Sequence, residues 1–577
     1  MADEILWEHV DGPNGGMNTL YPANQIGPRE WTSVSNAEIF PGGVKTVCGS
    51  VKLGTVFHAV DNPTGTLPLA GTIKFCDTLT FANGDTVLAC ITTTKFYVLD
   101  ETPVFPIPKE WLDVTPAVGV PGDPDYGIHA GSTYNYTKAY FKQTSGKEYW
   151  IFANGGQVIR YGSDNGVAPR IVSHLPLAPG GYRGGPTYHE ARSVCIGWGS
   201  LWIAYPLEGA VRGAGGVPFR LRYSAVDDPT DWADMDYVDL QEDAGAIMVA
   251  VPLGDMLAVY KDGSIFGVYG TYDPNMPFRK IKRVEGLGAA SPTAVIATQI
   301  GHFFMPGSLD NIWLYEGMNT AKPCGDKVFR HPANPLLQEW KHRVVTMGSL
   351  PSRQVCFGVP VMGGEGSLGP ALIYIYNWQD DVWAVRWLPC GALGVRFKLS
   401  TDAWVHMWDF DPDLGDEITD TGLDFSDLGE TDFCDLHDTV QANVMNELHS
   451  MVFTTSNEPC MISKVSMTRA DNPQYSGASV TSGQRRPVSS PTAREFVFRG
   501  LQLRGEAWNV RLAIWTDKEA TITFAYQNFE KRWTWDFRLV GNWLQFKIVT
   551  PNTGNGVFWI TGYSIGYIPL GVRREGK

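Results

Sequence analysis

A phrase of two short strands and a turn returns along this chain. It reads NGDTVLACITTTKFYVLD from Asn83, SGKEYWIFANGGQVIRYG from Ser145 and LGDMLAVYKDGSIFGVYG from Leu253. It returns as IGHFFMPGSLDNIWLYEG from Ile300 and GPALIYIYNWQDDVWAVR from Gly369. A split version, WGSLWIAYP then FRLRYSAVDDPTDW, begins near residue 198. A hairpin repeated at spacings of tens of residues predicts a propeller or a solenoid, because each unit buries its apolar face only against the next. The starts at 83, 145, about 198, 253, 300 and 369 leave room for one four-stranded blade plus loops each, which predicts a β-propeller of about six blades, with five or seven as alternatives. An ordinary β-sandwich with similar hairpin spacing is the competing reading.

Composition agrees with an all-β chain rich in turns: 63 Gly, 38 Pro and 12% aromatics in 577 residues. The one helical candidate is a short surface turn at PLLQEWKH, Pro335–His342. The boundaries expected are a lead-in arm over 1–75 that supplies little core, the propeller over 76–408, an acidic connector over 409–440 and a C-terminal β-sandwich over 441–577. LSTDAWVHMWDF, Leu399–Phe410, is a candidate for closing the ring against the first blade.

The N-terminus lacks a basic stretch followed by an apolar run, so no secretory signal is expected, and no apolar window is long enough to insert in a membrane. Nine scattered Cys without a CxxC pair are read as mostly buried thiols of a protein made in a reducing cytoplasm. A net charge of −15 argues against a protein that grips duplex DNA. The segment 409–438 carries twelve acids, and no Lys or Arg occurs between Lys398 and Lys464. Within it Asp409, Asp411 and Asp413 alternate as in a calcium loop, but the glycine comes one place late, so they are only weak metal candidates. Asp416, Glu417, Asp420, Asp424 and Asp427 are candidates for a channel or subunit interface.

Signatures of catalysis are sparse. No phosphate-cradling GxxxxGK[ST], no HExxH, no Asp-box and no GxSxG nucleophile is expected. Gly-rich GGYRGGPTYHE, Gly180–Glu190, does not join a strand to a helix and reads as a loop. Acid pairs occur at Asp227-Asp228, Asp380-Asp381 and Asp416-Glu417, and a glycosidase would need two such groups facing each other. The basic run FRKIKR, Phe278–Arg283, is too small for a nucleic-acid stripe and predicts an acidic neighbour. The chain is therefore expected to be no enzyme and to need no cofactor.

The stretch Arg220–Tyr269 carries a family likeness. It reads Arg222-Tyr223-Ser224, then Asp228-Pro229 with Asp231-Trp232, then a hairpin containing Tyr260-Lys261 and Ser264-Ile265. In this order, with the neighbouring repeats and the DFSDL/DFCDL echo, it resembles the tail nozzle or tail-hub β-propeller proteins of tailed bacteriophages, the tail tubular protein B group. The likeness spans roughly 140–440 and covers the N-terminal 75 residues and the C-terminal domain less well. It implies a structural virion protein of the tail, made in the host cytoplasm. It implies a homohexameric ring below portal and adaptor, which conducts the genome at ejection and anchors other parts. The partners implied are the chain itself, adaptor and portal-proximal proteins, tail fibres or spikes, and double-stranded DNA that passes without specific binding. The alternatives are a glycan-binding propeller, a glycoside hydrolase, and another phage baseplate or head-decoration protein.

Overall fold

In a computed structural model, the chain is described over residues 5–570 except 41, 47–49, 53–55, 58–65, 68, 101–109, 116–132, 164–169, 177–188, 209–214, 272, 274–275, 330–337, 350–352, 361–371, 388–390, 397–449, 456–457, 463–477, 488–494 and 552–555. The fold is all-β with a propeller at its centre. Five blades are self-contained antiparallel sheets of four consecutive strands, running inner to outer: from Ile73–Thr80 to Glu110–Asp113, from Thr137–Lys142 to Ile171–His174, from Ala191–Gly197 to Tyr237–Asp239, from Ile247–Leu253 to Phe278–Glu285, and from Val295–Thr298 to Lys322–Pro323. This corrects the count of six.

Two further four-strand units complete the circle and are composite. The sixth, Val345–Ser349 to Val382–Trp387, is fused to a larger sheet. The seventh takes Leu393–Arg396, Ser450–Thr455 and Glu458–Ile462, and its outermost strand is Ser50–Lys52. The first strand of each unit stands around one axis, each beside the next, and the seventh returns to the first. That return is tight: a Cβ on Gly394 would meet the Cys76 carbonyl oxygen at 1.9 Å. The expected closing segment Leu399–Phe410 and the acidic connector lie outside the described residues.

The repeated phrase is legible in this frame. Its copies at 83, 145, 253 and 300 are the two middle strands of blades 1, 2, 4 and 5. Those strands are covered by neighbouring blades on both faces, so their apolar runs are nearly continuous, as in Met256–Lys261, buried throughout.

The remaining strands form two sheets that share one 22-residue strand, Glu495–Thr516. Its first half pairs with Val557–Leu570 and Arg532–Gly541, its second with Leu544–Val549. The shared strand shifts register after Phe498 and Arg504, where Gly500 and Gly505 sit. These two sheets meet around Trp31, whose ring lies 6.0 Å from Phe546 and 6.3 Å from Tyr563. The expectation that 1–75 supplies little core therefore fails: Trp31, Val34, Ala37 and Val44 are all buried within the largest core cluster. Likewise, the runs at 450–462 complete the propeller rather than open the C-terminal domain. The C-terminal sheets are also joined to the sixth unit: Trp31–Ser35 pairs in parallel with Val382–Trp387 at Ser35↔Val385, and the Asn36 amide donates to Val385 O at 3.0 Å.

Replacing Trp31 by Ala should lower stability by about 3–5 kcal/mol, through lost contacts and the cavity left behind. Gly394→Ala should also destabilise, since the clash is with backbone. Chemical denaturation of both variants against the parent checks these outcomes.

Candidate functional site

The residues carrying the family likeness are gathered on blades 3 and 4, where they hold backbone turns. Ser224 Oγ accepts from the Leu201 amide at 3.0 Å and donates to Ala225 O at 2.9 Å. Asp228 Oδ1 accepts from the Thr230 amide at 2.9 Å and from its hydroxyl at 2.7 Å, an Asx turn with Pro229 setting φ at the corner. The Trp232 indole closes the turn on Pro229 O at 2.8 Å and packs on the His189 ring at 4.5 Å, while Asp231 is exposed. Arg222 donates to Glu208 at 2.5 Å and to Asp234 O at 3.0 Å; beside it Arg220 grips Asp239 through two bonds of 2.7 and 2.8 Å. Tyr223 lies 4.9 Å from Trp202 and 4.8 Å from Phe278, linking the two blades.

Lys261 is fully buried and donates to Leu240 O and Asp243 O, both at 2.9 Å, and to the Asp243 carboxylate. It pins the loop leading from blade 3 to blade 4. Ser264, three residues on, is buried at the start of the next strand. The basic run Phe278–Arg283 meets the same acidic loop, with Lys280 on Glu242 at 2.6 Å and Lys282 on Asp243 at 3.5 Å, which is the pairing its sequence predicts.

The acid pairs are absorbed in the same way. Asp227 accepts from the Thr144 amide at 2.8 Å, Asp380 from Asn377 at 2.8 Å, and Asp381 pairs with Lys327 at 2.7 Å. Asp409, Asp411, Asp413, Asp416, Glu417, Asp420, Asp424 and Asp427 all lie outside the described residues. Among the described residues no group of three His, Cys, Asp or Glu is arranged to hold a metal ion, and no helix is long and apolar enough to cross a membrane. Cys76, Cys90, Cys195 and Cys356 are buried free thiols; burial pushes Cys356 up to about 12.

One serine corrects the expectation that no GxSxG run occurs. Gly562-Tyr-Ser564-Ile-Gly566 matches G-x-S-x-G, and Ser564 Oγ lies 2.6 Å from His9 Nδ1. However, it sits in the middle of the strand Val557–Leu570, its side chain is fully buried, and the sharp strand-to-helix turn that exposes such a nucleophile is missing. The pair joins Leu6–Asp11 to its neighbour, opposite in register.

A different cluster emerges at one end of the propeller axis. Lys74 and Arg192 begin the inner strands of blades 1 and 3, and Tyr134 just precedes that of blade 2. Tyr205 ends the second strand of blade 3, and Asp262 lies in the turn after the second strand of blade 4. Lys341, His342 and Arg343 belong to the short 3-10 helix Gln338–Arg343 that leads into the sixth unit, the surface turn expected at Pro335–His342. In a propeller all of these positions fall on one face. The Arg192 guanidinium sits 3.9 Å from the Tyr205 ring and 5.0 Å from that of Tyr134, and donates to Ile247 O at 2.9 Å. Tyr134 meets the His342 ring edge-on at 6.4 Å, and Lys341 stands 4.0 Å from Asp262. Burial, and then repulsion from Arg343, holds Lys74 below the ordinary lysine value. Burial, then Arg343 and Lys74, does the same to His342. No sequence motif marks these residues; the only signal is that five of them, Lys74, Arg192, Tyr134, His342 and Arg343, stand at, or two to three residues before, the starts of inner strands.

His302 is a second buried titratable group, between blades 4 and 5. Its Nε2 lies 2.9 Å from Pro252 O, so this nitrogen carries the proton and Nδ1 accepts from the Tyr260 hydroxyl at 3.1 Å. Burial brings its pKa down from 6.5 to about 4.

No protein-family model matches the chain, and no curated protein matches it in sequence. Among solved structures it is similar to an exo-β-1,3-galactanase of Phanerochaete chrysosporium, at 7% identity over 90% of this chain and 100% of that one, with a TM-score of 0.26. It is similar to a glycoside hydrolase at 8% identity over 86% and 97%, TM-score 0.23. It is also similar to apo AztD of Citrobacter koseri at 8% identity over 60% and 94%, TM-score 0.26. Scores this low leave the chain's activity to its own geometry.

Two outcomes follow. Lys261→Met should destabilise the protein by about 1–3 kcal/mol for each carbonyl left without its donor, Leu240 O and Asp243 O, while Asp243 keeps Lys282 as a partner; urea unfolding measures this. For His302, the unfolded chain takes up a proton below about 6.5 that the folded chain refuses until about 4, so stability falls as pH drops through that window. The loss is about 2 kcal/mol at pH 5 relative to neutral pH. The thermal midpoint of His302→Gln should accordingly fall less between pH 7 and pH 5 than that of the parent.

Proposed function

We propose that this chain is a structural, self-associating subunit of a bacteriophage tail, the role implied by the likeness on Arg220–Tyr269. The observation that supports it is the use made of the motif residues. Arg222, Ser224, Asp228, Trp232 and Lys261 spend their polar groups on backbone turns and blade junctions, so the motif marks a scaffold rather than a reaction centre. The inner strands of neighbouring units pack directly against each other, as Gly394 against Cys76 illustrates, so each propeller is a closed, rigid unit. A genome conduit would then run between copies arranged in a ring, with the propeller as one wall segment.

The second reading is a glycan-binding propeller or glycoside hydrolase, the class to which two of the structural neighbours belong. The feature that favours it is the aromatic group Trp198, Trp202, Tyr223 and Phe278, in which the Trp198 ring is 38% exposed and 5.0 Å from Phe278. A sugar ring can stack on such a surface. Against hydrolysis, Asp227, Asp228, Asp380 and Asp381 are each committed to turns or ion pairs instead of facing one another.

Imaging of virions with antibody against this chain, together with mass photometry of the purified protein, separates the two. The structural reading expects tail labelling and a closed oligomer, alone or on an adaptor template. Specific hits on a glycan array, with the protein absent from particles, would overturn it in favour of the second reading.

A further inference from the structure

The first blade holds two thiols directly opposite one another. Cys76 and Cys90 are register partners on the antiparallel strands Ile73–Thr80 and Thr86–Thr92. Phe81 N donates to Asp85 O at 2.9 Å, and the register runs unbroken from that rung to Cys76↔Cys90. Antiparallel rungs alternate between hydrogen-bonded and non-hydrogen-bonded pairs, so Cys76↔Cys90 falls on a non-hydrogen-bonded one. The Cys76 carbonyl agrees: it points away from Cys90 and toward Gly394 of the seventh unit, where an added Cβ would meet it at 1.9 Å. At such a pair the Cα atoms stand about 4.5 Å apart and both side chains leave the same face, within the span of about 4.4–6.8 Å that a disulfide bridges. Both side chains are fully buried free thiols and share one apolar cluster with Tyr97, Trp111 and Ala392. The hydrogen bond between the two thiols, and then burial, holds Cys76 well above the ordinary thiol range. Cys195 and Cys356 are buried too, but they face Trp202, and Ile375 and Met347, in register, so neither has a second sulfhydryl opposite.

We propose that Cys76 and Cys90 are a redox site that closes to a reversible cross-strand disulfide and staples the blade on which the ring closes. The oxidant is a small-molecule disulfide. One cysteine, as thiolate, attacks it, forms a mixed disulfide and releases the first small thiol. The other cysteine then attacks the protein sulfur of that mixed disulfide and expels the second small thiol. The two cysteines together lose two protons and two electrons, and the oxidant becomes two thiols. In the closed blade neither sulfur is exposed and Cys76 stays protonated, so exchange requires the hairpin to open. The bridge therefore forms slowly in the folded chain and, once formed, is shielded from reductants. A reducing compartment keeps the pair open, and passage to an oxidising one closes it. Once closed, the bridge ties the inner strand to its neighbour at the point where Gly394 abuts it, and restrains further opening. The site lies within one blade of one copy, so the inference stands with or without the tail reading.

The test is peptide mapping by mass spectrometry. The full chain is incubated with oxidised glutathione, with and without urea below the unfolding transition, and then alkylated in denaturant. The expected result is a peptide pair joined through Cys76 and Cys90, lighter by two hydrogens than its thiol form, formed faster in urea and reversed by dithiothreitol. Cys195 and Cys356 should remain open to alkylation throughout. Cys76→Ser should leave Cys90 as a mixed disulfide with glutathione, and Cys90→Ser should do the converse at Cys76; if one variant fails to fold, the other still reports. Hydrogen exchange of the amides over 73–92 should slow several-fold on oxidation, because the staple restrains local opening. Three results would each overturn the proposal: Cys76 and Cys90 both alkylated after oxidation in urea, a bridge from either one to any other cysteine, or unchanged exchange in the bridged protein.

Discussion

The propeller depends on one non-local pairing. Ser50–Lys52 joins Glu458–Ile462 through Ser50↔Ile462, Val51↔Met461 and Lys52↔Cys460, so a strand that precedes the first blade becomes the outer edge of the last unit. A ring of blades without such a clasp presents open sheet edges to solvent and to other chains. With it, the backbone polar groups of the last unit are matched by the chain's own beginning, and the circle is held by hydrogen bonds as well as by apolar contact between blades. At the inner end of the same unit, Gly394 stands hard against Cys76 of the first blade, so the last unit is tied to the start of the chain at both its inner and its outer strand.

The all-β class and the propeller were readable because the middle strands of each blade are buried on both sides and therefore carry dense apolar runs. Outer strands such as Tyr237–Asp239 and Lys322–Pro323 are two or three residues long and part polar or exposed, so they leave no comparable trace. The seventh unit could not be read at all, since its pieces are drawn from residues 50–52 and 393–462 and none repeats the phrase. The N-terminal segment misled for a related reason. WTSVS offers only two buried side chains, Trp31 and Val34, but the shape of the cavity between two sheets makes those two decisive.

The site was less legible than the fold. A motif draws attention to residue types in order, and here the order describes a turn: Asp228, Pro229 and Trp232 are close in sequence because they close one local loop. Lys74, Arg192 and Arg343 are far apart in sequence, and only the circular arrangement of blades brings them to one mouth. Register within the repeat would have been the available clue, because equivalent positions at the start of inner strands face the same axis. The GYSIG run went unread in the sequence although its spacing is that of a nucleophile motif, and the buried mid-strand position of Ser564 removes that meaning.

The parallel junction at Ser35↔Val385 has a mechanical consequence. Met17 N donates to Trp383 O at 2.9 Å, Asn36 N to Val385 O at 3.0 Å, and Trp387 N to the Asn36 side chain at 3.0 Å, so two backbone bonds and one bond to a side chain cross between the C-terminal sheets and the sixth unit. Separating the C-terminal sheets from the sixth unit therefore has to break main-chain hydrogen bonds as well as apolar contacts, and side-chain substitution alone leaves those main-chain bonds in place.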